Sequence, residues 1–151
     1  MLRVSKLTDY ATVLMAALAE LPADLASASD LAERAQIELP TVSKLLKQLA
    51  GAGLIESRRG VNGGYRLAHA SRDISVFDIV TAIEGPIGIT ECSVHEGACH
   101  RETRCLIQHN WRRISAAIGD ALRHVTLEEL LQPEMAKPVR GKAVPIRVTV
   151  A

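Results

Sequence analysis

The sequence predicts a mainly α-helical fold carrying one small β-hairpin and ending on a long helix. Apolar residues recur at three- and four-residue steps through most of the chain, the period of an amphipathic helix. A single glycine-rich turn, Gly60-Val61-Asn62-Gly63-Gly64, separates two short strand-like runs. Aromatic residues are only 3% of 151, so the core must be built from Leu, Ile, Val and Ala. With 48% hydrophobic and 23% charged residues the chain has the balance of a packed domain rather than a disordered one.

The first helix is expected from about Thr8 to Leu21, with Leu7, Ala11, Leu14, Met15 and Leu18 on one face and Pro22 ending it. Ser27 to Asp30 offer hydroxyl and carboxylate caps for a second helix, Leu31 to Ala35. After a turn through Gln36 to Leu39, Pro40 belongs in the first turn of a third helix, where its missing N–H costs nothing. Val42, Leu45, Leu46 and Leu49 face inward there, and Gly51 and Gly53 close it. Two helices joined by a tight turn, the second with a polar N-terminal face, form a helix-turn-helix pattern, although an ordinary helical hairpin would look the same. Leu54 to Ser57 and Tyr65 to Leu67 then read as the hairpin strands, with Arg58 and Arg59 beside the tip. A hairpin in that position, tipped with arginines suited to a narrow minor groove, is a wing.

Beyond the wing, Ile74, Val76, Ile79, Val80 and Ile83 mark a helix opened by Ser75 and closed by Gly85-Pro86. A loop from Ile87 to Thr103 follows. The long helix is expected to begin there, with Ile107, Trp111, Ile114, Ile118, Ala121, Leu122 and Val125 as a continuous stripe. Two copies packing stripe to stripe would bury it; folding back on the winged domain is the alternative. Pro133, Pro138 and Pro145 interrupt the remainder, which is either a flexible tail or, through Val144, Ile146, Val148 and Val150, an edge strand. The expected organisation is a winged helix-turn-helix domain (1–85), a metal-binding loop (86–105), a dimerisation helix with a short helix after it (103–131), and the tail (132–151).

Charge narrows the function. The net charge is +1, so binding to nucleic acid must come from a local basic patch. Thr41, Ser43, Lys44 and Lys47 are expected on the exposed face of the third helix, the first of them near base edges and Lys47 near phosphate. Arg59 and Asn62, with Arg58 behind them, are the candidates on the wing. None of the four helix residues is a bidentate base reader of the arginine–guanine kind. No apolar run approaches the roughly 18 residues of a membrane helix, and no cleavage pattern follows the N-terminus. A cytoplasmic protein without membrane contact is expected.

All three cysteines, Cys92, Cys99 and Cys105, crowd into one stretch with His95, His100 and His109 around them. In a reducing compartment an odd cluster of this kind points to metal or redox chemistry rather than a disulfide framework. Thiolates are soft ligands that select Zn²⁺, Cu(I) or iron–sulfur clusters. Gaps of C-x6-C-x5-C are wider than the knuckles of most structural zinc sites and suit a larger object, with a Cys₃His zinc site as the competitor. His109 lies four residues after Cys105, so on a helix both would project from one face. A catalytic cysteine is disfavoured, because one nucleophile needs neither three thiols nor this setting, so no enzyme is expected. His95 and His100 read as solvated loop residues.

At this point the chain resembles a known family. SKLTDYA at the start, RRGVNGGYRLA in the wing, ISVFDIVTAIEG, CLIQHNWRRISAAI and VTLEEL are similar to the winged-helix iron–sulfur transcription regulators that include IscR, NsrR and the SUF-system regulators, over residues 1 to 131. The resemblance implies a homodimer that binds palindromic, double-stranded operator DNA, as a repressor of iron–sulfur biogenesis or of redox and nitric-oxide stress genes. It also implies a cluster on Cys92, Cys99 and Cys105, with 2Fe–2S ahead of 4Fe–4S. Two departures stand out. The first cysteine gap is six here and five in the better-known members. The histidine ligand of IscR-like members falls three residues after the last cysteine, where this chain has Gln108, with His109 next. In NsrR-like members a carboxylate from the first helix, at the place of Asp9, reaches the other subunit's cluster, so Asp9 joins His109 as a candidate ligand. Otherwise Asp9 complements the dipole of its own helix. A winged-helix interaction module stabilised by zinc is the alternative function.

Overall fold

A computed structural model of the chain describes residues 3–21, 25–60, 62–94 and 105–132. In order they form α1 (Lys6–Ala19), α2 (Ala28–Ala35), α3 (Leu39–Gly51), β1 (Ile55–Arg58), β2 (Gly64–Leu67), a 3₁₀ turn (Ser71–Asp73), α4 (Val76–Glu84), α5 (Glu91–Val94), α6 (Gln108–Arg123) and α7 (Leu127–Leu131). The fold is mainly helical with one hairpin: a winged helix-turn-helix followed by a long helix. The tail and its possible strand, Pro22, Cys99, His95 and His100 lie outside the described residues.

Helix α1 is shifted toward the N-terminus relative to the expected Thr8 to Leu21. Ser5 is its cap, its hydroxyl accepting from the Thr8 N–H at 3.2 Å. Thr8, a polar residue, is buried, because its hydroxyl donates to the Glu84 carboxylate at the far end of α4. The Ser5 N–H donates to the same oxygen at 3.3 Å. Those hydroxyls, Ser5 first and then Thr8, hold the Glu84 carboxyl below its usual range. The remaining starts are local. Ser27 with Asp30, Ser75 with Asp78 and Thr126 with Glu129 each close a reciprocal capping box, a device worth roughly 1 kcal/mol per cap.

One aliphatic core joins these pieces. Leu14 and Met15 of α1, Leu31 of α2, Val42, Leu45, Leu46 and Leu49 of α3, Ile79 of α4 and Leu127 of α7 are all fully buried in it. Burying one such leucine contributes about 1.5–3 kcal/mol. Gln36 makes the turn between α2 and α3 in the left-handed region, at φ 53°. Pro40 sits in the second position of α3, one later than the ideal, because Leu39 already has helical geometry.

The hairpin pairs Ile55 with Leu67 and Arg58 with Gly64, so the strands begin one residue later and one earlier than expected. Its register is also fixed from outside. Ala26 and Tyr65 exchange backbone bonds at 3.0 and 2.8 Å, which adds a strand-like bridge before α2 that periodicity does not reveal. Arg66 forks onto Glu56 across the hairpin at 2.7 and 2.9 Å, an exposed pair worth at most about 1 kcal/mol.

Helix α6 starts at Gln108, later than expected, and Ile107 at its head contributes no side-chain cap. It lies on its own domain through small residues. Ser115 and Gly119 are its buried positions; the Ser115 hydroxyl accepts from the Ile89 N–H at 3.2 Å, and Gly119 packs under Phe77. Arg123 stacks over the same Phe77 ring, 3.7 Å from its centre. Backbone bonds from Val76 to Val125 and from Leu127 to Ile74 then return the chain to the core. The helix thus does fold against its own domain, through a face centred on Ser115 and Gly119 that also half-covers Trp111, Ile118, Leu122 and Val125 and leaves Ile107, Ile114 and Ala121 of the stripe exposed.

Candidate nucleic-acid interface and metal centre

Helix α3 separates cleanly into two sides. Val42, Leu45, Leu46 and Leu49 are buried, and Pro40, Ser43, Lys44 and Lys47, spaced at three and four residues, are exposed on the opposite side. Thr41 departs from the expectation: it falls on the flank and is half-buried, because it lies about 100° round the helix from Val42. Two lysines and a hydroxyl on one open face can meet phosphates and base edges.

At the wing, Arg58, Arg59 and Asn62 are all exposed. The loop is held by a Gly63 N–H to Gly60 carbonyl bond of 2.9 Å. A Cβ at Gly63 would lie 2.3 Å from the Arg58 carbonyl oxygen, so only glycine lets the strands close at this point. Gly60 contributes the positive φ of 117° that bends the loop. The arginines are therefore presented on a short, closed hairpin.

The cysteine segment opens on a helical turn rather than a loop. Cys92 lies within α5, one helical turn that sequence periodicity could not reveal, and it is buried. The Thr90 hydroxyl is 3.3 Å from Cys92 Sγ, and Ser93 Oγ donates back to the Thr90 carbonyl at 2.6 Å. Arg112 of α6 donates through Nε to the Cys92 carbonyl at 3.1 Å. Cys105 is half-buried and lies just before α6 rather than in its first turns, so the same-face relation to His109 does not arise as expected. His109 is exposed on the first turn. Arg112 is four residues into α6 from Gln108, about one turn, so its bond sets the Cys92 backbone beside the N-terminal part of α6, and Cys105 stands just ahead of Gln108 in the chain.

Asp9 is exposed and lies elsewhere. It lines a groove of about 800 Å³ shared by Val4 and Lys6 at the start of α1, Val76 and Val80 of α4, Leu122 of α6 and Leu130 of α7. Leu122 is fourteen residues past Gln108, roughly 20 Å along the axis. Within one protomer Asp9 is thus toward the opposite end of α6 from Cys92 and Cys105. Among the described residues no three His, Cys, Asp or Glu side chains gather as a metal site. No helix among them is long and apolar enough to cross a membrane.

The apolar stripe of α6 remains open along one edge. Ile107 is 55% exposed and Ile114 43%, while Trp111, Ile118, Leu122 and Val125 are half-buried along its border. Leu106, next to Cys105, is 96% exposed, a feature the periodic stripe did not include.

Residues 4–133 match the family model Rrf2, described as an iron-dependent transcriptional regulator. The regulator IscR of Vibrio cholerae is 39% identical over 103 residues, covering 68% of this chain and 59% of that protein. IscR of Vibrio campbellii is 36% identical over 104 residues, covering 69% and 61%. The match thus spans about three fifths of the length of these curated relatives. Among solved structures, CymR, the global cysteine regulator of B. subtilis, superposes with a TM-score of 0.67 at 30% identity, covering 88% of this chain and 98% of that one. IscR of T. potens does so with a TM-score of 0.66 at 29% identity, covering 90% and 93%. These are regulators, not enzymes. By the extent of the family match and by fold, the chain belongs to the Rrf2 family of winged-helix transcriptional regulators.

Proposed function

We propose that this protein is a cytoplasmic, homodimeric repressor whose grip on palindromic operator DNA responds to an iron–sulfur cluster. The carrying observation is the position of α6. One face of it holds the cysteine segment, through Arg112 on the Cys92 carbonyl and Ser115 on the Ile89 N–H, while the neighbouring face offers an open apolar stripe to a second copy. A change in the cysteine segment is thereby felt at the element that sets the relation between two reading heads.

In this reading Ser43, Lys44 and Lys47, with Thr41 at the flank, enter the major groove, and Arg59 and Asn62, supported by Arg58, enter the minor groove. Two such heads must stand about 34 Å apart to meet successive half-sites. Cys92, Cys99 and Cys105 hold the cluster, 2Fe–2S ahead of 4Fe–4S. The donor chemistry fits: Cys92 is buried with a hydroxyl at its sulfur, and the Arg112 guanidinium brings positive charge to the place where thiolates collect. His109 is the local candidate for the fourth position. Asp9 can reach it only from the other protomer, given its place at the far end of α6. When bound, such a cluster supplies an anionic centre sensitive to oxidants and nitric oxide. Arg112 and Ser115 supply the mechanical link, and the exposed lysines and arginines the phosphate contacts. The fold alone does not choose the signal, since it is similar to both an IscR and a cysteine regulator.

Anaerobic purification followed by a visible spectrum tests the metal. A brown protein bleached by air supports the cluster; a colourless protein with tightly bound zinc overturns it. Duplex binding that weakens steeply with salt, as counterion release requires, supports the DNA face. Binding left unchanged by replacing Cys92, Cys99 and Cys105 together with serine overturns the sensing role.

A further inference from the structure

The leading end of α3 carries features the DNA-reading face described above does not use. Glu38 occupies the N-cap position: its backbone carbonyl accepts from the Val42 N–H at 3.0 Å, yet its side chain makes no capping bond. Helices α1, α2, α4 and α7 are all capped by a hydroxyl, whereas α3 starts on an exposed carboxylate that makes no cap. The next residue, Leu39, is a large apolar side chain left 44% exposed, and Pro40 after it is exposed and has no N–H to give to a phosphate. The end of a reading helix that first meets the groove floor thus presents an acceptor and an apolar surface, with few donors.

That chemistry selects its partner. A carboxylate is repelled by the phosphates, but on a base edge it accepts from the exocyclic amine of cytosine, and an exposed aliphatic side chain beside it suits a thymine methyl. We propose that Glu38 and Leu39 are specificity-determining residues: Glu38 accepts from a cytosine amine in the major groove, and Leu39 packs on a neighbouring thymine methyl. This rests on the DNA-reading role of α3 proposed above. Lys6 of α1 is engaged elsewhere, its ammonium 5.2 Å from the centre of the Tyr10 ring, so it makes no ion pair with Glu38 among the described residues.

Selection of the full-length protein on a library of duplexes with randomised positions tests this without a known operator. The wild type is expected to enrich a two-fold symmetric motif containing one cytosine and one adjacent thymine in each half-site. Glu38→Ala should lose the cytosine preference, by roughly five- to fiftyfold against other bases, and keep the other positions. Leu39→Ala should relax the thymine alone. Glu38→Gln, which retains an acceptor but adds donors, should tolerate other bases at the cytosine position while leaving the fold intact by circular dichroism. If the wild type enriches no motif, the DNA-reading role itself fails. If it enriches one and Glu38→Ala enriches the same motif, or binds every sequence more tightly with preferences unchanged, Glu38 only repels phosphate and the inference is overturned.

Discussion

Replacing Gly119 by leucine, with alanine as its partner variant, probes how closely α6 lies on its own domain. A Cβ at this position would stand 3.3 Å from Phe77 Cε2 and 3.3 Å from Arg123 Nη1. For alanine, a shift of a few tenths of an ångström in two side chains is enough. Removing a mid-helix glycine gains about 0.8–1 kcal/mol. Gly119→Ala is therefore expected to fall between neutral and about 1 kcal/mol stabilising. Leucine places three further carbons in space already held by the Phe77 ring. Overpacking of that kind costs roughly 1–3 kcal/mol, and displacing Arg123 from the ring adds about 0.5–1 kcal/mol. After the propensity gain the net loss is about 2 kcal/mol, which lowers Tm by roughly 4–8 °C for a chain of this size. Thermal unfolding followed by circular dichroism, at one fixed protein concentration, reads the difference. A leucine variant that melts at or above the wild type would refute close docking of α6 on Phe77.

Three further outcomes follow from features already described. Gly63→Ala should open the wing, because its Cβ meets the Arg58 carbonyl oxygen at 2.3 Å; duplex affinity should fall at least tenfold, roughly what the loss of one or two phosphate contacts costs, while Tm changes little. Ile114→Glu should convert a dimer to a folded monomer, measured by light scattering after gel filtration, because it places a charge in the middle of the open stripe. Glu84 has its folded pKa lowered, so its bonds to Ser5 and Thr8 stabilise the fold above the usual carboxylate value of 4.5, and that contribution is lost as pH falls through the lowered value. Glu84→Gln should therefore destabilise at neutral pH and converge with the wild type in acid, read as urea midpoints across the range.

The sequence conveyed what is periodic or local. The helix-turn-helix, the hairpin and α4 are all legible because their caps and apolar faces lie within a few residues of each other, as with Ser75 and Asp78. What it hid depends on partners distant along the chain. The burial of Thr8, a polar residue on α1, follows from its bond to Glu84, seventy-six residues away. Helix α5 is a single turn with no period to detect, so Cys92 read as a loop residue although it is buried. The stripe of α6 was visible because large residues announce themselves. Its docking face was not, because Ser115 and Gly119 read as breaks in a pattern rather than as room for Phe77.

The hold of α6 on the cysteine segment has a wider consequence. Arg112 grips a carbonyl and Ser115 an N–H, so both contacts fall on main-chain atoms of residues 89 and 92. A grip of this kind is blind to side-chain identity. In the proposed sensing role, side chains at residues 89 to 92 can be exchanged over generations without loosening the main-chain strap that joins them to the long helix. A single architecture can in this way be retuned from one chemical stimulus to another by changes confined to a few exchangeable positions, and its transmission would be inherited unchanged.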